Sequence, residues 1–100
     1  AFSSSDRSLK DNIVAISNPL DKVMPIGGYE FDWNSTSDYS GNHDVGVIAQ
    51  EIQKVVPEIV VERDNGMLAV RYEKLIPLLI EAIKELKEEV EELTNGSSVI

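Results

Sequence analysis

The sequence contains no cysteine, so neither a disulfide framework nor a thiolate metal site can form. It has a single histidine, His43, and therefore lacks the paired histidines of a zinc site; we expect no metal and no cofactor. Basic residues are also scarce. Nine Lys and Arg stand against 18 Asp and Glu, and the resulting charge of -9 repels phosphate groups, which argues against nucleic acid and anionic membranes as partners.

Long apolar runs are absent as well. No stretch approaches the ~20 residues that a membrane span needs, and residues 1–10 lack the apolar core of a signal peptide. What is present is 100 residues, 42% hydrophobic and 27% charged, a composition typical of one small globular domain. A domain of this size buries little surface and gains stability from oligomerisation. Because the chain begins at Ala1 without an initiator methionine, we expect it to be a piece of a longer polypeptide.

The first quarter of the chain carries a strand signal and a helix signal. Residues 12–16 are rich in β-branched side chains and too short for a stable helix, which predicts a buried strand. Asn18 followed by Pro19 is typical of an N-cap with proline at the first helical position. This pattern predicts a short helix to about Met24, ended by Pro25.

An aromatic strand and a polar loop come next. Tyr29, Phe31 and Trp33 alternate with acidic residues, as in a half-buried strand. Residues 34–43 contain one large apolar side chain, Tyr39, and cannot form a core of their own. We expect them to form an exposed loop or the tip of a hairpin.

The middle of the chain predicts a helix and a hairpin. Apolar residues recur at helical spacing over residues 48–56, and Pro57 ends that segment. Residues 59–62 and 67–70 flank Asp64-Asn65-Gly66, which supplies the left-handed residues of a hairpin turn. Together with a long C-terminal helix, these elements predict a small α+β domain of short helices and β-hairpins.

The C-terminal segment has an apolar residue every 3.5 positions on average, in alternating steps of four and three, which is a heptad seam. The seam consists of Tyr72, Ile76, Leu79, Ile83, Leu86, Val90 and Leu93. A second, shorter apolar stripe predicts that the N-terminal half of this helix also packs on its own domain. That stripe consists of Leu75, Leu78 and Ala82.

Two interpretations of this segment stay open. It is either one amphipathic helix lying on the core of its own domain, or one helix of a coiled coil or three-helix bundle formed by several chains. We expect assembly through residues 72–95, a kink near Pro77, and a helix end at Asn95-Gly96. β-branched residues at a with leucine at d are typical of parallel dimers, so the seam alone does not decide between dimer and trimer.

Near the N-terminus, Ser5 and Lys10 place a hydroxyl and an amine five residues apart. On one straight helix they would be separated by about 140° of rotation, so they can meet only across a turn. A serine nucleophile needs a base, and a lysine amine becomes one only when it is neutral, which requires withdrawal from water. The spacing by itself is common and does not establish catalysis. His43 and Glu51 are weaker candidates for a base, and both are expected to be surface side chains.

Three segments, in order, resemble signatures of one family. Residues 5–13 (Ser-Asp-Arg-Ser-Leu-Lys-Asp-Asn-Ile) are similar to its Ser-Asp-x-x-Leu-Lys opening. Residues 46–52 (Gly-Val-Ile-Ala-Gln-Glu-Ile), followed by 56–58 (Val-Pro-Glu), are similar to the second signature, and residues 72–86 to the third. The family is the self-cleaving intramolecular chaperone, peptidase S74, at the C-terminus of phage tailspikes, tail fibres and neck appendages of the endosialidase type.

The resemblance implies a reaction and its residues. Ser5 would attack the carbonyl of Ser4, with Lys10 as general base, and the chain would break between Ser4 and Ser5. It also implies a homotrimer that helps an upstream fibre or spike domain of the same polypeptide to fold and then releases itself. Ser8 replaces a second basic residue often seen in the family, and we expect no catalytic role at that position.

The resemblance divides the chain into four parts. Residues 1–4 would end the upstream fibre or spike chain, and residues 5–71 would be the globular part, whose loop near 34–43 projects to grip the fibre. Residues 72–95 would be the trimerising helix and residues 96–100 a tail. The resemblance also implies that the domain would work in the host bacterial cytoplasm during virion assembly, be released after cleavage and be absent from the mature virion. The alternatives are a permanent trimerisation module that never cuts, and the related autoproteolytic domain of a eukaryotic membrane-bound transcription factor.

Overall fold

The computed structural model describes residues 2–98, with side chains through Asn95. Short helices, two hairpins and one long helix follow each other along the chain, which confirms the predicted α+β class. The regular elements are α1 (Pro19–Val23), β1 (Tyr29–Asp32), β2 (His43–Gly46), α2 (Ala49–Val55), β3 (Val60–Glu62), β4 (Leu68–Val70) and α3 (Leu75–Ser98), with 3-10 turns at Arg7–Leu9, Pro57–Ile59 and Tyr72–Lys74.

The predicted strand at residues 12–16 is wrong. These residues form no strand, and Ile13 and Val14 are exposed. Asn12 adopts a left-handed backbone with φ of 55°, which interrupts an extended run at its first residue. β-branched side chains favour a strand only where a neighbouring strand is available to pair with, and the described chain offers none here.

The predicted short helix is confirmed as α1, with Pro19 at its first position and a turn at Met24 and Pro25 after it. Asn18 occupies the N-cap position, as predicted, but its side chain does not cap the helix. Asn18 makes no side-chain hydrogen bond to the helix and is instead in the left-handed conformation, with φ of 50°. Asparagine tolerates that conformation better than most residues, so Asn18 turns the chain into α1, and its backbone carbonyl accepts a hydrogen bond of 3.2 Å from Lys22 N–H.

β1 and β2 form an antiparallel hairpin in which Tyr29 pairs with Gly46 and Asp32 with His43. Residues 33–42 form its tip, which confirms the exposed loop. Trp33 holds the base of the tip through two backbone hydrogen bonds: its N–H donates to the carbonyl of Asn42, and its carbonyl accepts from Gly41. The sequence did not predict β2, because its start at His43 and Asp44 is polar.

The remaining predicted elements are present. α2 follows Ile48 and ends before Pro57, and β3 and β4 pair as an antiparallel hairpin, with Val60 opposite Val70. Gly66 has a φ of +82° in that hairpin's turn, a conformation that favours glycine. The hairpin predicted from the Asp-Asn-Gly sequence is therefore confirmed.

α3 joins the body through one face. Leu75, Leu78 and Ala82 are buried, as the second apolar stripe predicts, and Pro77 lies in the first helical turn. The helix continues past Asn95 and Gly96 to Ser98, so the predicted end is not where it stops. The core it joins is small, and its buried members are Ile52, Ile59, Leu75 and Leu78.

The single chain exposes much more surface than a compact protein of its mass. Its accessible area is 8390 Å², whereas a folded monomer of 11.1 kDa has about 5,700 Å². The excess of about 2,700 Å² includes many large apolar side chains. Among residues 2–98, no helix is long and apolar enough to cross a lipid bilayer.

Candidate active site

Ser5 and Lys10 are in direct contact. Lys10 Nζ donates a hydrogen bond of 2.7 Å to Ser5 Oγ. The turn between them explains how five residues can close this distance: Leu9 N–H donates to the carbonyl of Asp6 at 3.0 Å, and Lys10 N–H donates to that of Arg7 at 3.1 Å. These bonds close the 3-10 turn Arg7–Leu9, which brings the amine back onto the hydroxyl.

Asp6 caps this turn. Its carboxylate Oδ1 accepts a hydrogen bond of 2.8 Å from Ser8 N–H and another of 2.6 Å from Ser8 Oγ. The side-chain hydrogen bond, and then the backbone one, lower the pKa of Asp6 below its ordinary value. Asp6 is extended, with φ of -64° and ψ of 135°, as an N-cap residue usually is. The sequence motif contains both residues, but spacing alone did not indicate that they bond.

The Ser5–Lys10 pair is open to water in the single chain. Every residue from Phe2 to Ala15 is exposed, including Ser4, Ser5 and Lys10. Leu9 is 71% exposed and Val14 84%, although both are apolar. The arrangement therefore provides a hydroxyl and an amine in contact, but the described chain provides no cover that would withdraw the amine from water.

Glu51 is not part of this site. Its carboxylate accepts hydrogen bonds from Gly27 N–H at 2.9 Å and Tyr29 Oη at 2.7 Å. The hydrogen bond from Tyr29, and then that from Gly27, lower the pKa of Glu51. The hydrogen bond between Tyr29 and Glu51 also raises the pKa of Tyr29. Glu51 therefore joins α2 to the start of β1, a role that its position on a helix surface did not reveal.

His43 lies on the hairpin, away from Ser5 in sequence and exposed. Its Nδ1 is 2.8 Å from Asp32 Oδ1 and its Nε2 is 3.3 Å from Glu30 Oε1. The hydrogen bond with Asp32, and then that with Glu30, raise the pKa of His43. Within residues 2–98 no cluster of three or more His, Asp or Glu side chains is arranged to hold a metal ion.

The aromatic side chains of the hairpin tip lie outside the core. The Trp33 ring meets Phe31 edge-on at a centroid distance of 5.0 Å and Tyr39 at 5.4 Å. Trp33 Nε1 donates to Asp44 at 3.2 Å, which ties the indole to β2. Tyr39 is 61% exposed, so the tip presents an aromatic surface to solvent.

Tyr72 connects the second and third sequence signatures. Val47 N–H donates a hydrogen bond of 3.1 Å to Tyr72 Oη. Gly46 makes room for this contact, because a Cβ at that position would lie 2.6 Å from the hydroxyl oxygen. Tyr72 therefore contacts the globular part of its own chain, whereas the sequence analysis placed it in the seam alone.

The seam is uncovered in the single chain. Its members lie along one side of the 3-10 turn and α3, and each is 45% exposed or more. They are Tyr72, Ile76, Leu79, Ile83, Leu86, Val90 and Leu93.

Comparison with known proteins now identifies the family. Residues 5–61 match the peptidase S74 profile, described as the chaperone of endosialidase. The chain belongs to this family. Its matched segment opens at Ser5 and includes the turn, both β-strands of the first hairpin and α2.

Long tail fibre proteins Gp37 of several phages are relatives of this chaperone-family chain. It is 38% identical over 97 residues to that of Enterobacteria phage K3, covering 89% of this chain and 8% of the relative. It is 33% identical over 97 residues to the fibre protein of Salmonella phage S16, covering 90% of this chain and 13% of the relative. It is 39% identical over 95 residues to the fibre protein of Enterobacteria phage M1, covering 89% of this chain and 38% of the relative. The chain therefore spans only a small part of the relatives' length, and its family membership supports a chaperone role.

Proposed function

We propose that this domain is an intramolecular chaperone of a phage tail fibre that assembles as a trimer and then releases itself by cutting between Ser4 and Ser5. The observation that carries the proposal is the 2.7 Å contact between Lys10 Nζ and Ser5 Oγ. The contact lies within the family's opening motif, and the family match itself begins at Ser5. The phage relatives favour the phage branch over the eukaryotic one.

The proposed reaction proceeds in two steps. Neutral Lys10 takes the proton of Ser5 Oγ as the oxygen attacks the carbonyl carbon of Ser4, and the proton then passes to Ser5 nitrogen as the carbon–nitrogen bond breaks. The result is an ester between the Ser4 carbonyl and Ser5 Oγ. Water hydrolyses it, leaving a carboxylate at Ser4 and a free amine at Ser5. The reacting carbonyl is covalently next to the nucleophile, so proximity supplies much of the rate.

Assembly supplies what the single chain lacks. Lys10 is exposed in the single chain, and a general base of this kind needs a site that excludes water, so the proposed reaction requires cover. The uncovered seam and the excess surface of about 2,700 Å² favour association of several copies, since permanent interfaces bury areas of this order. A trimer matches the three-chain fibres that such a domain would serve.

The chaperone function follows from the cost of threading three chains. Contacts between separate chains are long-range and slow to form, so a temporary clamp lowers the entropic cost of the first ones. The aromatic tip at Trp33 and Tyr39 is suited to hold the adjoining fibre segment. After the cut the fibre is held by an unfolding barrier, and the domain leaves it during virion assembly in the host cell. The rival is a trimerisation module that never cuts.

The test is the mass of a chain extended upstream of Ala1, measured over time. We expect the wild-type chain to yield a fragment that begins at Ser5, while Ser5→Ala, which lacks the nucleophile, stays intact. Lys10→Ala should stay intact as well, because it lacks the base, and both variants should assemble like the wild type. A Lys10→Ala chain that cuts at the normal rate, or a new N-terminus other than Ser5, would contradict the mechanism. An intact wild type in assembled form would favour the rival.

A further inference from the structure

Asp6 and Ser8 form hydrogen bonds beside the Ser5–Lys10 pair, and the proposed mechanism assigns them no part. Both hydrogen bonds from Ser8 end on one carboxylate oxygen of Asp6, at 2.8 and 2.6 Å. Asp6 lies four residues before Lys10, yet these side chains form no ion pair within 4.0 Å in the described chain. Lys10 Nζ instead contacts Ser5.

We propose that Asp6 and Ser8 are positioning residues: their hydrogen bonds hold the 3-10 turn that places Lys10 on Ser5, and they keep the carboxylate away from the amine. The inference rests on the proposed self-cleavage. It gives Ser8 a function where the sequence predicted none.

Little else fixes this turn. A 3-10 turn of three residues has few hydrogen bonds of its own and poor geometry, so it depends on its cap. The arm from Phe2 to Ala15 is exposed throughout, so no core packing holds it in the single chain. Without the cap, the turn would open in a fraction of molecules, and Lys10 would leave Ser5 in each of them.

An alternative role for Asp6 is purely electrostatic, because a negative charge near Lys10 favours the protonated amine. The two roles predict opposite effects on rate. Loss of the cap slows cutting, whereas loss of a nearby negative charge makes a neutral lysine easier to form and speeds cutting. Asp11 provides a matched control, since it adjoins Lys10 and accepts no hydrogen bond within the described residues.

The experiment measures the single-turnover cutting rate of the assembled extended chain at one pH. Asp6→Ala should cut about fivefold slower, the population change that loss of a typical N-cap produces. Asp6→Asn keeps an acceptor oxygen and should stay within about twofold of the wild type. Ser8→Ala, which keeps only the backbone bond, should fall between them, and Asp11→Ala should not be slower than the wild type.

Assembly and thermal unfolding serve as structural readouts and should not change in any of the four variants, because the arm lies outside the core. Asp6→Ala cutting at the wild-type rate would overturn the positioning role while leaving the self-cleavage intact. The same holds if Asp6→Asn is as slow as Asp6→Ala, since the acceptor would then not be what matters. If the wild type itself does not cut, both proposals fail together.

Discussion

At the scale of single residues, the contact between Gly46 and Tyr72 connects segments that are 26 positions apart in the sequence. A Cβ at Gly46 would lie 2.6 Å from Tyr72 Oη and 3.4 Å from a ring carbon of Phe31. The hydroxyl cannot simply move, because it accepts the hydrogen bond from Val47 N–H. The loop before α2 and the 3-10 turn before α3 are therefore fitted to each other in space.

This contact predicts non-additive substitutions. Gly46→Ala should lower the free energy of unfolding by roughly 1–3 kcal/mol through overpacking, and Tyr72→Phe by roughly 1 kcal/mol through loss of one hydrogen bond. Once the hydroxyl is gone, Gly46→Ala should cost clearly less, which a double-mutant cycle by urea unfolding at fixed protein concentration would measure. Additive costs would mean that the hydroxyl is not what excludes a side chain at Gly46.

At the scale of elements, the first hairpin carries a titratable bridge at its base. His43 lies between Asp32 and Glu30, and its pKa is raised in the folded chain, chiefly by the hydrogen bond with Asp32. A raised folded pKa means that the bridge stabilises the hairpin fully below about pH 6.5, the unfolded value, and is lost as pH rises through the folded pKa. The third acidic neighbour, Asp44, stays ionised over that window.

We therefore expect the hairpin tip to be better protected at pH 6 than at pH 8.5. The readout is the protection factor of the Trp33 and Gly41 amides, whose hydrogen bonds close the tip. The change should be small, because the three side chains are exposed, and His43→Gln should abolish it. A wild-type protection factor that does not change with pH, or a His43→Gln chain with the same pH dependence, would contradict this account.

Local sequence chemistry predicted some elements well and others poorly. α2 and the second hairpin are marked by Pro57 and Gly66, whose backbone preferences act without help from distant residues. The strand predicted at residues 12–16 is absent because β-branched side chains favour a strand without specifying which neighbouring strand would pair with it. The family motif singled out Ser5 and Lys10, which the structure brings into contact, whereas the hydrogen bonds of Glu51 depend on a tertiary contact that no local pattern encodes.

At the scale of the whole molecule, α3 has two apolar sides with different tasks. Leu78, 3% exposed, belongs to the core of its own chain, and Leu86, 51% exposed, belongs to the seam. Only six residues are buried in the described part of the chain, so the body has little stability to spare; they are Pro19, Ile52, Ile59, Leu75, Leu78 and Ala82. Association through the seam should accordingly add to the stability of the folded body.

The two sides can be separated by substitution. Leu86→Asp should leave a folded single chain that no longer assembles, because each copy would bury an unpaired charge. Leu78→Ala should instead cost about 2–5 kcal/mol of unfolding free energy. Lys84→Asp, which introduces the same acid outside the seam, is the control. Sedimentation velocity reports assembly and circular dichroism reports folding; a Leu86→Asp chain that assembles like the wild type would show that the interface lies elsewhere.

The short reach of the Ser5–Lys10 contact also has a consequence for timing. A loop of about ten residues closes in roughly 10–100 ns, whereas subunits assemble in milliseconds to minutes. The 2.7 Å contact across five residues therefore forms long before any partner chain arrives. Under the proposed mechanism, the delay before the cut is set by the encounter of chains, so it should shorten as protein concentration rises. At high concentration a slower rearrangement within the assembled trimer should become rate-limiting.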